Sequence, residues 1–221
     1  MRKGTLYIVS TPIGNLEDIT LRAVRVLGEA DFIAAEDTRH TKILLNKYGI
    51  NKKIISFYSY NRVVKKERIV AFLKEGKNIA LVSDAGTPGI SDPGFSLIKN
   101  AIENDIPVEA IPGPAALIMA LVLSGKPTNK FIFEGFLASK QGKRRKRLEF
   151  LKNEERTVII YESPHRITAL LRDMLDIIGD REIALARELT KKFEEVKRNN
   201  ISGLLRHFSE IKPRGEFIVV I

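Results

Sequence analysis

The sequence predicts an α/β protein built as two α/β domains, and three observations carry that expectation. Short strand-like segments alternate with helix-like ones through the first half of the chain. Loops rich in Gly, Pro and acidic residues follow the strand-like segments directly. The pattern changes after residue 113, and Gly125-Lys126-Pro127-Thr128-Asn129 reads as a linker. The economical division is into residues 1–113 and 114–221.

The strand-like segments of the first half are residues 5–10, 31–36, 53–57, 79–83 and 108–111, all short and rich in Val, Ile or aromatic residues. Between them, residues 19–27, 41–48, 65–73 and 95–104 carry apolar residues at helical spacing; Ile69, Phe72 and Leu73 fall at i, i+3 and i+4. Strands alternating with helices of this length predict a mostly parallel sheet covered on both faces. In the second half, residues 115–123 read as helix. Strands are expected at 131–136, 157–162, 183–187 and 217–221, and helices near 143–152, 166–178 and 202–208. Periodicity leaves residues 192–198 open between strand and helix.

Composition excludes several classes. There is no cysteine, so disulfides, thiolate metal sites, iron–sulfur clusters and cysteine nucleophiles are out. His40, His165 and His207 are isolated, and no bound metal is expected. No Gly-x-Gly-x-x-Gly follows the first strand, so a dinucleotide fingerprint is missing, and nothing matches a P-loop, because Gly125-Lys126 runs into Pro127. No apolar run approaches the roughly 20 residues of a membrane span, which predicts a cytoplasmic soluble protein. Net charge is +10, and +7 of it follows residue 113. Its densest part is Lys140-Gln141-Gly142-Lys143-Arg144-Arg145-Lys146-Arg147, read as a solvated basic helix suited to neutralising phosphates.

Four loops carry the chemistry. They are Ser10-Thr11-Pro12-Ile13-Gly14-Asn15, Glu36-Asp37-Thr38-Arg39-His40-Thr41, residues 83–94, and Pro112-Gly113-Pro114-Ala115-Ala116. In a parallel sheet, loops that follow strands share the carboxyl edge where ligands bind. In the third loop, glycines permit close backbone approach, prolines stiffen, and Asp84 and Asp92 supply negative charge. That mixture suits a cationic or hydrogen-bond-rich small molecule. Plain structural roles compete: Asn15 as the cap of a following helix, and Asp37 or Thr38 as the N-cap of the next. In the second half, Tyr161-Glu162-Ser163-Pro164-His165-Arg166 ends a strand and opens a helix, with Ser163 expected as N-cap and Pro164 at the first helical position.

These motifs, joined by Thr11-Pro12-Ile13-Gly14-Asn15-Leu16-Glu17-Asp18, Ile111-Pro112-Gly113-Pro114 and Arg187-Glu188-Leu189-Thr190-Lys191, resemble the small-subunit ribosomal RNA methyltransferases of the tetrapyrrole-methylase-like superfamily, from residue 4 to the C-terminus. The resemblance implies a class III S-adenosylmethionine-dependent enzyme, with two α/β domains, the cofactor in the cleft between them, and a homodimer. It implies 2′-O-methylation of a cytidine ribose in 16S rRNA near the decoding centre, on naked rRNA or the assembled small subunit.

By the same resemblance, the cofactor contacts are Pro12, Ser83, Asp84, Ala85, Gly86, Ile90, Ser91, Ala115, Ala116, Phe136, Leu137, Glu188 and Leu189. RNA contacts are expected at Asn15, Arg39, His40, Lys140, Lys143, Arg144, Arg145, Lys146, Arg147, His165 and Arg166. Glu36, Asp37 and His40 are candidates for a general base. The chain departs from the family twice. Tyr58-Ser59-Tyr60-Asn61-Arg62 replaces a His-rich segment, and the sequence stops at Ile221 where many relatives continue, which shifts the expected RNA grip toward the basic run. Two other readings fit part of the pattern: methylation of tetrapyrrole carbons on the same fold, and a non-catalytic RNA-binding module.

Overall fold

Strand residues of the first sheet alternate between two buried layers, because both of its faces are covered by helices. In the computed structural model, which describes residues 2–57, 62–92 and 94–221 without the side chains of Arg62 and Val63, contacts divide the chain into two units, Met1–Ala115 and Ala116–Ile221. Tyr58, Ser59, Tyr60 and Asn61 of the departing segment, and Pro93 of the third loop, lie outside the described residues.

The first unit holds β1 (Leu6–Val9), α1 (Leu21–Glu29), β2 (Phe32–Ala35), α2 (Thr38–Lys47), β3 (Lys53–Ser56), α3 (Arg62–Lys74), β4 (Ile79–Val82), α4 (Phe95–Glu103) and β5 (Val108–Ile111). Its strands pair in parallel in the order β3-β2-β4-β1-β5. Leu6, Ile8, Ala34, Ile79 and Leu81 pack against Ile69, Leu73 and Leu97 of α3 and α4. Their neighbours Val9, Ile33, Ala35, Ala80 and Val82 face the other way, onto Val26, Leu27 and Leu45 of α1 and α2. The period of two along a strand thus builds two cores around one sheet, as the sequence led us to expect.

The second unit holds α5 (Ala116–Ser124), β6 (Phe131–Phe136), α6 (Gln141–Leu151), β7 (Thr157–Glu162), α7 (Ile167–Ile178), β8 (Glu182–Arg187), β9 (Glu195–Asn200), α8 (Ile201–Glu210) and β10 (Phe217–Val220). Its sheet is mixed, in the order β6-β7-β10-β8-β9: β6 and β7 are parallel, and β10 is antiparallel to both β7 and β8. One face is packed by Leu148, Leu170, Leu171, Met174 and Leu204 of α6, α7 and α8. The other face meets α5, whose Ala120 and Leu121 are buried. No helix among the described residues is long and apolar enough to cross a membrane.

Two local expectations are corrected, and one question left open is decided. Asn15 caps only a single 3₁₀ turn, Leu16–Asp18, while α1 starts later behind Thr20, whose hydroxyl accepts from the Ala23 N–H at 3.1 Å. Ser163 is not a side-chain cap: a turn intervenes, both Arg166 and Ile167 donate to the Ser163 carbonyl, and α7 begins at Ile167. The open segment resolves as β9, antiparallel to β8 at the sheet margin.

Candidate active site

Strand order in the first sheet decides which loops become neighbours. β2, β4, β1 and β5 stand side by side and parallel, so the four loops singled out by sequence leave from one edge. From the adjacent strands β1 and β4 the chain departs in opposite directions, to β2 and to β5. In open parallel sheets a reversal of that kind marks the strand ends where ligands bind.

The two central loops are laced together. Thr11 and Gly86 exchange backbone hydrogen bonds at 2.9 and 3.0 Å, the Thr11 hydroxyl donates to the Ser83 carbonyl at 3.2 Å, and the hydroxyls of Ser10 and Thr87 lie 2.8 Å apart. Gly86 adopts φ +75°, a left-handed conformation that side chains other than glycine's take at a cost. The loop after β5 presses in from the other side: a Cβ on Gly113 would sit 2.9 Å from the Cβ of Ser10. The bare backbone is what lets these turns touch.

The loop after β2 joins through Asp84, whose Oδ1 accepts from the Asp37 N–H at 3.0 Å. Asp37 caps α2 by accepting from the Arg39 N–H at 2.8 Å, and its other oxygen lies 3.1 Å from the Arg39 guanidinium. Hydrogen bonds from the Arg39 side chain and then its backbone hold the Asp37 carboxyl below its ordinary value. Asp37 therefore caps the helix, one of its two expected roles; the other is that of general base. Glu36, half-buried, and His40, exposed on the first turn of α2, keep that role open. Pro12 and Ser83 are buried in the edge, Asp84 is half-buried, and Ala85, Ile90 and Ser91 face solvent, as do Asn15 and Arg39. Glu36, Asp37, Asp84 and Asp92 give the loops an acidic cast.

In the second unit, β6, β7 and β8 run the same way, so their carboxyl ends also share an edge. Phe136 and Leu137, then Glu162 with His165 and Arg166, then Glu188 and Leu189 lie along it. Phe136 is exposed with its ring 5.7 Å from that of Tyr161, and Leu137 and Leu189 are buried. His165 is exposed. Arg166 is turned inward: its guanidinium donates to the Leu137 carbonyl and lies 3.2 Å from Glu162 Oε2. Glu162 is 1% exposed; burial pushes its carboxyl above the ordinary value, although its Oε1 accepts from the Ser163 N–H at 2.8 Å. Glu188 is tied to Lys191 at 3.0 Å, at a residue with φ +49°.

The basic run is not one solvated surface. Arg144 is 5% exposed, with its guanidinium 2.6 Å from Asp173, and Arg145 bridges Asp173 and Asp176 at 2.9 and 3.0 Å. Arg147 donates to Glu134 at 2.7 Å. Arg144 is therefore corrected from RNA contact to internal staple between α6 and α7, while Lys140, Lys143 and Lys146 are exposed. Sequence reading missed the partners Glu134 and Asp173, which lie far along the chain and leave no local signal. It also missed Ser10 and Thr87 as the loop tie, for which paired hydroxyls in the two loops were the available hint.

A family model for tetrapyrrole (corrin/porphyrin) methylases matches residues 5–205. A protein of Thermotoga maritima named ribosomal RNA small subunit methyltransferase I is 52% identical over 219 residues, covering 99% of this chain and 98% of that protein. A protein of the same name from Halalkalibacterium halodurans is 49% identical over 219 residues, covering 99% of this chain and 76% of that one. A solved structure of diphthine synthase superposes with a TM-score of 0.76 at 14% identity, covering 99% of this chain and 90% of that one, a likeness of fold.

Proposed function

The chain belongs to the tetrapyrrole (corrin/porphyrin) methylase family, and from that premise we propose that it methylates small-subunit ribosomal RNA with S-adenosylmethionine, at the 2′-hydroxyl of a cytidine ribose. The observation that carries the reading is the meeting of four loops, three bearing Gly and Pro and two bearing carboxylates, at one edge of a parallel sheet, in a chain half-identical to rRNA methyltransferases.

The residues fit the cofactor. A sulfonium carries positive charge, and the carboxylates of Glu36, Asp37, Asp84 and Asp92 on these loops complement it; a phosphate ligand would be repelled. The exposed backbone at Gly113 offers itself to a polar nucleoside without an intervening side chain, while Gly86, bonded through both its N–H and C=O to Thr11, holds the loops that frame it. We assign Pro12, Ser83, Asp84, Ala85, Gly86, Ile90, Ser91 and Ala115 of the first unit to the cofactor.

When bound, S-adenosylmethionine supplies an activated methyl group for in-line displacement. The protein's share is then alignment and dryness. The laced loops fix the edge rigidly, and positioning of this kind contributes up to roughly 7–11 kcal/mol in favourable systems. Pro12 and Ile90 exclude water. The ribose hydroxyl is a weak nucleophile, and Glu36 Oε or His40 imidazole nitrogen receives its proton, worth typically about 10²–10⁴-fold. Arg39 and His40 face the nucleotide, whereas Arg166, expected beside them, is held on Glu162 and the Leu137 carbonyl. An rRNA substrate supports a cytoplasmic location, and the homodimer that the resemblance implies is what light scattering in solution should find.

The deciding experiment incubates the protein with small ribosomal subunits from a strain lacking the modification and methyl-labelled cofactor, then maps the modified nucleotide. Label on a cytidine 2′-oxygen is the expected result. A protein that binds the cofactor yet transfers no methyl to rRNA overturns the reading.

A further inference from the structure

We propose that the exposed face of α6 is a docking surface for single-stranded RNA, on which Lys143 and Lys146 hold phosphates and Phe150 stacks an unpaired base. The proposal rests on the rRNA reading above and divides the labour within the basic run: its arginines hold the fold, its lysines meet the substrate.

The division follows from the ion pairs. The positive charges of Arg144, Arg145 and Arg147 are each matched by a carboxylate of the same unit. Lys143 and Lys146 are exposed and make no ion pair among the described residues. Unmatched ammonium groups release counterions when they meet phosphates; matched guanidinium groups must first break a bond.

Spacing then adds the aromatic. Lys143, Lys146 and Phe150 stand at i, i+3 and i+7, one stripe of a helix, opposite the buried Arg144, Leu148 and Leu151. Phe150 is 67% exposed and so contributes little to the core. A lone exposed Phe is ordinary. This one lies 4.5 Å beneath the Arg147 guanidinium, which is itself held by Glu134. One ring face is thus covered by a fixed cation and the ring is held in place, a ready platform for a base on its remaining face. Bases inside a duplex are already stacked, so the surface selects a looped or unpaired stretch.

The test uses the full chain and a fluorescein-labelled single-stranded pyrimidine RNA, titrated at several salt concentrations, alongside methylation of unmodified small subunits. Lys143→Ala with Lys146→Ala should flatten the plot of log affinity against log salt by about 1.4, two single-strand phosphates' worth. Phe150→Ala should weaken binding about tenfold at every salt with the slope unchanged, and Phe150→Trp should restore it. Cofactor binding by calorimetry and thermal unfolding should match the parent in all three variants. Unchanged affinity and slope in the variants, with a parent that binds RNA and methylates subunits, overturns this surface alone. A parent that does neither overturns the rRNA reading and this surface with it.

Discussion

Asp84 reaches from the loop after β4 to accept the backbone N–H of Asp37, in the loop after β2, at 3.0 Å. Asp37 in turn caps α2 and holds Arg39. One carboxylate therefore fixes where the first turn of α2 begins, and with it where Arg39 and His40 project. The negative charge that suits a cationic ligand is also a structural acceptor, so the acidic edge is rigid as well as attractive.

Removing that acceptor should be felt at the cofactor. Asp84→Ala deletes both the charge and the partner of the Asp37 N–H, and cofactor affinity should fall about tenfold or more. Asp84→Asn keeps an oxygen for the N–H and should fall between. Titration calorimetry reads both, and equal affinities across the three proteins would contradict the assignment.

Gly113→Ala tests the close approach of loops. The new methyl would lie 2.9 Å from Ser10 Cβ and 3.3 Å from its carbonyl oxygen, so backbone must move. Overpacking of this kind typically costs about 1–3 kcal/mol, visible as a lower urea midpoint. The Ser10–Thr87 contact should loosen with it, lowering cofactor affinity beyond what stability alone predicts.

Asp173 is the centre of the α6–α7 staple, accepting from Gln141, Arg144 and Arg145. Asp173→Ala strands a buried guanidinium and should cost about 3–5 kcal/mol, whereas Arg144→Met with Asp173→Leu should come close to neutral. Burial by itself would push the Asp173 carboxyl up, but those hydrogen bonds outweigh it and hold it below the ordinary value. Its stabilisation is present above the unfolded value of about 3.9 and is lost as pH falls through the lowered folded one. Acid titration of stability should therefore be shallower in the double variant than in the parent.

Glu162 carries the opposite sign. Burial raises its carboxyl, so the native state holds the proton more tightly than the unfolded chain. Stability from this group falls as pH rises from about 4.3 through the raised value. Glu162→Gln keeps an oxygen for the Ser163 N–H and removes the buried charge. Its stability relative to the parent should rise in denaturant melts as pH climbs from about 4.3 through the raised value; a constant difference would contradict the buried charge.

Much of the fold was legible because burial follows a period. Strands Val108–Ile111 and Thr157–Glu162 have the bounds their residues suggest, since one stops before Pro112 and the other ends on the charge of Glu162. β9 was not legible: as a marginal strand bonded only to β8, its Lys, Arg and Asn side chains carry no apolar alternation. Ser163 misled because capping preference is local, while the Glu162 carboxylate takes its N–H and its carbonyl anchors the turn before α7.

The sequence by itself determined the strand–loop–helix alternation, the acidic and glycine-bearing character of the loops and the family to which they belong, all of which are encoded within a few neighbouring residues. Tertiary structure alone decided that Thr11 meets Gly86, that Asp84 holds Asp37, and that Arg144 is buried on Asp173 rather than offered to solvent. Those outcomes depend on which distant segments the sheet order brings side by side, and a cation's fate turns on whether a carboxylate from elsewhere in the chain reaches it before water does.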